Sequence, residues 1–332
     1  MTAQFTLESA PTGEFVRQPN RFTERITADG SSDYPVEAGR YVLYVSLACP
    51  WAHRAVITRR LLGLEDALAL RVVDPLRDEK GWRFTLDQGD TDPVTGAQYV
   101  MELYQRSDPD FEGRATVPFI WDTVTERIVT NDYPQITLDL STQWTALHAA
   151  DAAELYPEHL RAAIDEMAEA NFHAVNNGVY KAGFASSQQA YEAAYDALFA
   201  RLHELDELLS AERYLVGRQL TEADVRLYTT LARFDAAYHG HFKCNERKLT
   251  EFTHLWAYAR DLYQTGGFGD TTDFGHIKSH YYATHEKINP TRIVPKGPDE
   301  TLWSVDPGRD HLGRDLAELA EALGERSSEG SG

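Results

Sequence analysis

A cysteine between a strand pattern and a helix pattern constrains the fold more than any other feature of this sequence. Residues 41–47 (YVLYVSL) predict a buried strand, and residues 51–62 predict an amphipathic helix with Pro50 in its first turn. Cys49 would then lie at the helix N-terminus, where unpaired N–H groups and the helix dipole stabilise a thiolate. Free cysteines are more often small buried hydrophobes, but this strand-to-helix position favours a nucleophile.

The residues around this cysteine indicate one reactive thiol in an α/β unit. Ala52 occupies the place of the second thiol in a Cys-x-x-Cys pair, so we expect a mixed disulfide with an outside thiol and no internal resolution. Residues 67–73 predict a second, parallel strand, and residues 116–121 and 127–130 predict a hairpin. Val117-Pro118 opens that hairpin; in thioredoxin-like folds such a proline is commonly cis and directs the preceding backbone at the thiol ligand.

The character of the chain changes near residue 149, where alanine- and glutamate-rich segments with helical spacing begin. We therefore predict two domains with flanking segments, and a short helix at 98–105 within an insertion. The segments are an extended lead-in without functional residues at 1–40, an α/β domain at 41–148 with its insertion at 74–115, an all-helical domain at 149–265, and a C-terminal extension at 266–332 that ends in an acidic helix and a disordered tail.

Charge and cysteine content restrict the partners and the compartment. The chain of 332 residues carries a formal net charge of −20, so we expect it to bind neither nucleic acid nor anionic membranes. It has two cysteines, Cys49 and Cys244, which are too few for a disulfide framework, and no apolar run of about 18 residues. We predict a cytoplasmic protein in which Cys244 is structural.

Three further features receive structural interpretations. Thr221 and Asp224 have the spacing of a helix-capping box. His276 and His280 share a helix face, but no third ligand is evident, so we predict no metal site. Arg54 follows the cysteine on its predicted helix, and we expect it either to support the thiolate or to form a salt bridge to the helical domain.

Six motifs, taken in order, connect the chain to a known family. They are CPWAHR at 49–54, TVP at 116–118, NGVYKAGFA at 177–185, RFDAAYHGHFKCN at 233–245, HIKSHYY at 276–282 and INP at 288–290. Together they resemble the Xi-class glutathione transferases, the glutathionyl-hydroquinone reductases, over roughly residues 41–298. The resemblance implies a thioredoxin-like N-terminal domain, an all-α C-terminal domain, a homodimer, and reductive removal of a thiol from S-conjugated hydroquinones.

The resemblance also implies roles for individual residues. Cys49 would be the nucleophile that attacks the thioether sulfur and forms a mixed disulfide. Tyr180, with Tyr281 or Tyr282, would hydrogen-bond the phenolic oxygen and supply the protons that make the ring a leaving group. Trp82 would lie over the bound thiol, or alternatively anchor the long insertion.

One position departs from the family pattern. Relatives that use glutathione usually have Asn-Glu-Ser-Ser at the start of the helix after the hairpin, whereas this chain has Asn131-Asp-Tyr-Pro. Asp132 keeps a carboxylate that is one methylene shorter, and Tyr133 replaces a small hydroxyl with a ring. Both are candidate thiol-binding residues at a helix N-terminus, with Val117 and Pro118. We hypothesise that the cosubstrate is mycothiol or γ-glutamylcysteine rather than glutathione.

Two rival functions remain open at this point. One is an omega-like thiol transferase that reduces mixed disulfides or dehydroascorbate with the same Cys49. The other is a binding protein that has the transferase fold without activity. Loss of Tyr180 should separate the first rival from the reductase, because disulfide exchange needs no proton donor beside a ring.

Overall fold

A four-stranded mixed sheet forms the centre of the first domain in the computed structural model, which describes residues 9–312. Its strands run in the order β4-β3-β5-β6. β3 pairs with β4 in parallel and with β5 in antiparallel orientation, and β5 and β6 form an antiparallel hairpin. This confirms the predicted parallel unit, the hairpin and the α/β class. The described strands are β1 Ile26–Thr27, β2 Tyr34–Pro35, β3 Tyr41–Val45, β4 Leu68–Val72, β5 Phe119–Asp122 and β6 Arg127–Thr130.

Helices cover this sheet and build the second domain. The helix predicted at 98–105 is present two residues later, as α2. One-turn π segments, Phe172–Asn176 and Phe234–Tyr238, interrupt the helical runs after α4 and after α7. The described helices are α1 Pro50–Leu61, α2 Val100–Ser107, α3 Tyr133–Thr142, α4 Arg161–Asn171, α5 Gly178–Gly183, α6 Gln188–Leu208, α7 Glu222–Arg233, α8 His239–His241, α9 Thr253–Tyr263 and α10 Phe274–Thr284.

Helix α1 is buried on all sides along most of its length. Every residue from Pro50 to Thr58 is buried, because α3 and α7 pack against the faces that the sheet leaves open. The expected amphipathic pattern was therefore wrong. A helix between a sheet and a second domain has no face to solvent, and its sequence need not alternate.

The insertion at 74–115 is an ordered cover for the second face of the sheet. Trp82, Phe84 and Tyr104 pack there with Phe119 of β5 in a core separate from the main one. A buried carboxylate ties the cover to the sheet, since Asp92 accepts hydrogen bonds from the Tyr44 hydroxyl at 2.7 Å and from the Arg71 guanidinium. The long connection therefore contributes a wall beside the strand ends.

The helical domain is fixed by the predicted capping box at the start of α7. The Asp224 carboxylate accepts hydrogen bonds from the backbone and hydroxyl of Thr221, from the Leu215 backbone N–H, and from the Tyr258 hydroxyl at 2.7 Å. Desolvation raises the pKa of this buried carboxyl. The first helix of the domain begins at Arg161, later than the alanine-rich composition suggested.

The first and last described segments pack against the two domains. Residues 9–27 run across the first domain and reach the turn after α5: Asn131 donates its backbone N–H to the Phe22 carbonyl, and Ser186 donates its backbone N–H to the Gly13 carbonyl. In the C-terminal extension, Trp303 packs into the main core. The predicted acidic helix and tail lie largely in 313–332, outside the described residues. Among residues 9–312, no helix is long and apolar enough to cross a membrane.

Candidate active site

Cys49 lies at the junction predicted for it, as the N-cap residue of α1. Its extended backbone (φ −79°, ψ 119°) places the side chain beside the start of the helix, and Pro50 occupies the first helical position. The peptide bond between Val117 and Pro118 is cis, as the sequence suggested. The Val117 carbonyl is 3.5 Å from the Cys49 Sγ and accepts its hydrogen bond. Two segments distant in sequence therefore meet at the sulfur.

A cavity of about 620 Å³ opens over this sulfur at the junction of the two domains. It contains most of the residues that the sequence marked, although three of them lie elsewhere. Pro118, Asp132 and Tyr282 do not line it. The predicted residues that do line it are Cys49, Trp82, Val117, Tyr133, Tyr180 and Tyr281.

Three tyrosines form a connected cluster on the helical side of the cavity, and of these Tyr238 and Tyr281 are buried while Tyr180 is partly exposed. The Tyr281 hydroxyl is 2.5 Å from that of Tyr180 and 2.9 Å from that of Tyr238. Burial raises the pKa of all three phenols, and for Tyr180 the charge of Cys49 raises it further. The phenols are therefore protonated at neutral pH. Sequence analysis missed Tyr238, although it lies inside the RFDAAYHGHFKCN motif.

The geometry separates the two adjacent tyrosines of α10. Tyr281 points into the cavity, whereas the Tyr282 ring packs against the His241 ring at 4.7 Å, with its hydroxyl beside Gly240. Successive residues on a helix point about 100° apart, so His280 and Tyr281 reach the cavity while the Tyr282 side chain is turned away toward His241.

Trp82 forms the opposite wall together with a neutral histidine. Its ring stacks on that of His280 at 5.0 Å with an interplanar angle of 21°. His280 Nδ1 lies 2.7 Å from the Pro75 carbonyl, which only accepts, so Nδ1 carries the proton. Burial and the charge of Arg77 lower the pKa of His280 to about 3. Trp82 therefore packs against this uncharged imidazole and also against the Arg77 guanidinium, which lies 5.1 Å from its ring.

At the start of α3, Asp132 and Tyr133 were both predicted to contact the thiol ligand, but only one of them lines the cavity. The Asp132 carboxylate accepts a hydrogen bond from the Asn20 amide at 3.0 Å, and burial raises its pKa. Tyr133 packs on Trp51 with ring centroids 4.8 Å apart and reaches the cavity. Of the two residues, only Tyr133 offers a direct surface to a ligand.

The described lining of the cavity is rich in cations although the chain as a whole is acidic. Within residues 9–312, its lining contains no aspartate or glutamate. The cations that line it are Arg17, Arg77, Arg114, Lys243 and Lys287. Net charge alone, at −20, does not reveal this local field.

Arg17 lines the cavity, so the N-terminal segment, in which the sequence predicted no functional residue, reaches the candidate site. Its guanidinium lies 4.6 Å from the Trp51 ring and 5.2 Å from the Tyr180 ring, and it donates to Asn177 Oδ1 at 3.0 Å. Phe15 packs beside Tyr180 as well. No local pattern in this irregular segment signals these contacts.

The remaining candidate residues lie around the site or away from it. Arg54 is buried over Trp51, and desolvation with the charge of Arg226 lowers its pKa to about 9. Cys244 is fully buried in the helical core, and desolvation raises its thiol pKa. Residues 9–312 contain no cluster of three or more His, Cys, Asp or Glu side chains able to hold a metal ion.

Comparison with known proteins gives one consistent group of relatives. A family model of the glutathione S-transferase C-terminal domain matches residues 188–261. The glutathionyl-hydroquinone reductase YqjG of Escherichia coli is 43% identical over 306 residues, which cover 90% of this chain and 93% of that protein.

Solved structures agree with this comparison. A glutathione transferase from Gordonia bronchialis is 57% identical with a TM-score of 0.87, covering 89% of this chain and 92% of that one. The Xi glutathione transferase of Phanerochaete chrysosporium is 45% identical with a TM-score of 0.84, covering 88% and 95%. A glutathione-bound structure of YqjG is 43% identical with a TM-score of 0.82, covering 87% and 96%.

Proposed function

The chain belongs to the family of Xi-class glutathione transferases and glutathionyl-hydroquinone reductases, and on that premise we propose that it reductively removes the thiol from S-conjugated hydroquinones. One observation carries the proposal: a single cavity holds the Cys49 thiol and the protonated phenols of Tyr180 and Tyr281. Thiol exchange alone needs only the first of these. Cleavage of an aryl thioether needs both.

The reaction proceeds in two thiol steps. The ring carbon that bears sulfur first gains a proton while the phenolic hydroxyl loses one, which gives the keto tautomer of the conjugate. The Cys49 thiolate then attacks the thioether sulfur, so that an S–S bond forms and the C–S bond breaks. The electron pair of that bond restores the aromatic ring, and the former carbonyl oxygen takes up a proton from the tyrosine side, which gives the hydroquinone. A second thiol attacks the mixed disulfide and releases Cys49 with a free disulfide. In sum, conjugate and thiol give hydroquinone and disulfide.

The tyrosine cluster supports the proton transfer. Burial keeps Tyr180 and Tyr281 protonated, so each can donate to the phenolic oxygen of the ring. Tyr238 lies behind Tyr281 and is hydrogen-bonded to its oxygen, so it orients that hydroxyl and shares its proton. We assign the catalytic roles to Cys49, Tyr180 and Tyr281, and we assign Tyr282 to packing.

The thiol carrier binds on the side of the first domain. The Val117 carbonyl lies beside the sulfur, and Trp82 and Tyr133 supply flat surfaces. Asp132 acts indirectly, through the hydrogen bond that fixes Asn20 at the cavity edge. Helix α3 directs its N-terminal end toward this region, which favours a carboxylate there.

The charge of the lining bears on the choice of thiol. Five cations and no acidic side chain among the described lining residues favour a cosubstrate that carries carboxylates. Glutathione and γ-glutamylcysteine carry two each, whereas mycothiol carries none. Glutathione bound to YqjG supports the same choice. Use of mycothiol stays a prediction, and the cavity gives it less support.

The family and the composition support a proposal on assembly and location. We propose a cytoplasmic homodimer that acts on small quinone thioethers and binds neither nucleic acid nor a membrane surface. Cys49 and Cys244 form no disulfide in the described chain, which is consistent with a reducing compartment.

The intact mass of the reduced protein tests the function directly. The protein is exposed to menadiol conjugates of glutathione, γ-glutamylcysteine and mycothiol, with Cys49→Ala as the control. We expect an adduct of the thiol on Cys49, release of menadiol and no adduct on the control. Absence of any adduct would favour the non-catalytic binding protein.

A second variant separates the reductase from the omega-like rival. Tyr180→Phe removes one phenol and leaves the sulfur in place. We expect the hydroquinone reaction to fall by at least about 100-fold while disulfide exchange continues. An equal loss of both reactions would contradict the assigned role of Tyr180.

A further inference from the structure

A fully buried arginine from the helical domain lies directly beneath the cysteine turn. Arg233, at the end of α7, donates from Nε to the Ala48 carbonyl at 2.8 Å and from Nη2 to the Leu47 carbonyl at 2.9 Å. Its Nη1 donates to the Thr229 carbonyl at 2.7 Å. These bonds connect the guanidinium to the two residues that precede Cys49.

The neighbouring histidine does not neutralise this cation. Arg233 Nη1 is 3.1 Å from His53 Nδ1, and because a guanidinium only donates, Nδ1 accepts. His53 is then neutral, with its proton on Nε2, which lies 2.9 Å from the Thr271 hydroxyl. Burial, reinforced by the charge of Arg233, lowers the pKa of His53 well below its ordinary value.

No carboxylate pairs with Arg233 among the interactions of the described chain. Its hydrogen-bond partners are carbonyl oxygens and one neutral imidazole nitrogen. A buried charge without a counterion is costly, so its environment favours nearby groups that become negative. Its charge lowers the pKa of Tyr281 and of Tyr238, against the larger effect of burial.

We infer that Arg233 is a positioning residue for the reaction proposed above: it fixes the Leu47–Ala48 carbonyls so that Cys49 caps α1 with its sulfur beside Val117. The inference rests on the proposed function for its catalytic consequence and on the geometry alone for its effect on the thiol. It also explains how the helical domain, distant in sequence, holds the turn of the first domain. The two domains then share one reactive centre.

The test uses Arg233→Gln and Arg233→Lys in the full-length protein. The first readout is the rate of Cys49 alkylation by iodoacetamide at neutral pH, with Cys244 replaced by alanine throughout. The second is the kcat and KM for the glutathionyl-menadiol conjugate. We expect Arg233→Gln to slow alkylation by about 10-fold and to lower kcat by about 100-fold with little change in KM. Arg233→Lys keeps the positive charge but cannot donate to the Leu47 and Ala48 carbonyls at the same time. We therefore expect its kcat to be about 10-fold higher than that of Arg233→Gln.

Arg309→Gln is the matched control. Arg309 is also buried and also donates to backbone carbonyls, those of Leu209, Glu212 and Arg213, but it does not line the cavity. We expect this variant to lower the Tm and to leave alkylation and kcat unchanged. If Arg233→Gln and Arg309→Gln have the same alkylation rate and the same kcat, the inference is overturned.

The outcomes also separate this inference from the proposed function. Alkylation requires no hydroquinone, so it reports on Arg233 even if the unmodified protein releases no menadiol. If Arg233→Gln does not fold, Arg233→Lys decides the question. If the Arg233→Lys variant has the alkylation rate and kcat of the unmodified protein, simultaneous donation to the Leu47 and Ala48 carbonyls does not position Cys49, and the inference is overturned.

Discussion

The two walls of the cavity are built in opposite ways. On the thiol side, Cys49 obtains its position from a local strand-to-helix turn, with Val117 brought beside it by the sheet. On the ring side, Tyr180, Tyr238 and Tyr281 come from three helical segments and meet only through packing. Backbone geometry can therefore position a nucleophile, whereas a proton-donating cluster depends on how helices rotate against one another.

Cations occur on both walls: Arg77 and Arg114 come from the first domain, whereas Lys243 and Lys287 follow α8 and α10. The ring side differs in its neutral groups, because burial keeps the pKa values of Tyr180, Tyr281 and His285 away from neutrality. Each wall can therefore be disabled separately, and variants should affect the two half-reactions unequally.

Removal of the nucleophile should have the largest effect. Cys49→Ser is expected to lower kcat/KM for conjugate cleavage and for disulfide exchange by at least about 1,000-fold, because both reactions begin at this sulfur. The rate of menadiol release and a mixed-disulfide assay measure the two reactions. Cys244→Ala is the control and should retain both, since Cys244 is buried away from the cavity. Residual exchange in Cys49→Ser would break the assignment of the thiol side.

Tyr281→Phe tests the ring side alone. We expect conjugate cleavage to fall by about 100- to 1,000-fold while disulfide exchange changes little, because the lost hydroxyl serves the ring. Tyr282→Phe is the matched control, one residue along the same helix, and should stay within about two-fold of the unmodified rate. Equal losses from the two substitutions would contradict the orientation of α10.

His280 gives a prediction about acid stability at the thiol-side wall. Its folded pKa is lowered from 6.5 to about 3, so it contributes stability that is present above pH 6.5 and is lost as the pH falls toward 3. By linkage, this histidine should cost about 3 kcal/mol of unfolding free energy between neutral pH and about pH 4.5. Urea unfolding at a series of pH values measures it.

His280→Asn is the matched variant, because its amide can still donate to the Pro75 carbonyl without titrating. It should lose less stability on acidification than the unmodified protein. An identical acid dependence would mean that other buried histidines, such as His53 and His285, carry the effect.

Arg17→Gln should have the smallest effect on activity, and it tests whether Arg17 acts on the ring side or on the thiol side of the cavity. The cation lies over both Trp51 and Tyr180, and its charge lowers the pKa of Tyr180. We expect about a 10-fold loss in kcat/KM for conjugate cleavage and a smaller loss in exchange. Arg21→Gln, whose partner Asp108 lies outside the cavity lining, is the control. Equal losses in both reactions would place Arg17 on the thiol side instead.

The sequence alone determined the parts that depend on neighbours along the chain. Cys49 at the N-cap, Pro50 after it, and the Thr221–Asp224 box follow from helix-end chemistry over a few residues. Strand pairing around Cys49 followed from period and order. Such features can be predicted from the sequence because helix ends and strands depend on residues that are close together along the chain.

Tertiary structure alone decided what reaches the cavity. The choice of Tyr281 over Tyr282, the part played by Tyr238, the reach of Arg17 and the bonds of Arg233 all depend on contacts between segments far apart in sequence. Periodicity predicts that a face of α10 is buried, but the rotation of that helix is set by the side chains packed around it. The sequence therefore located the nucleophile, and packing between the domains selected the groups that face it.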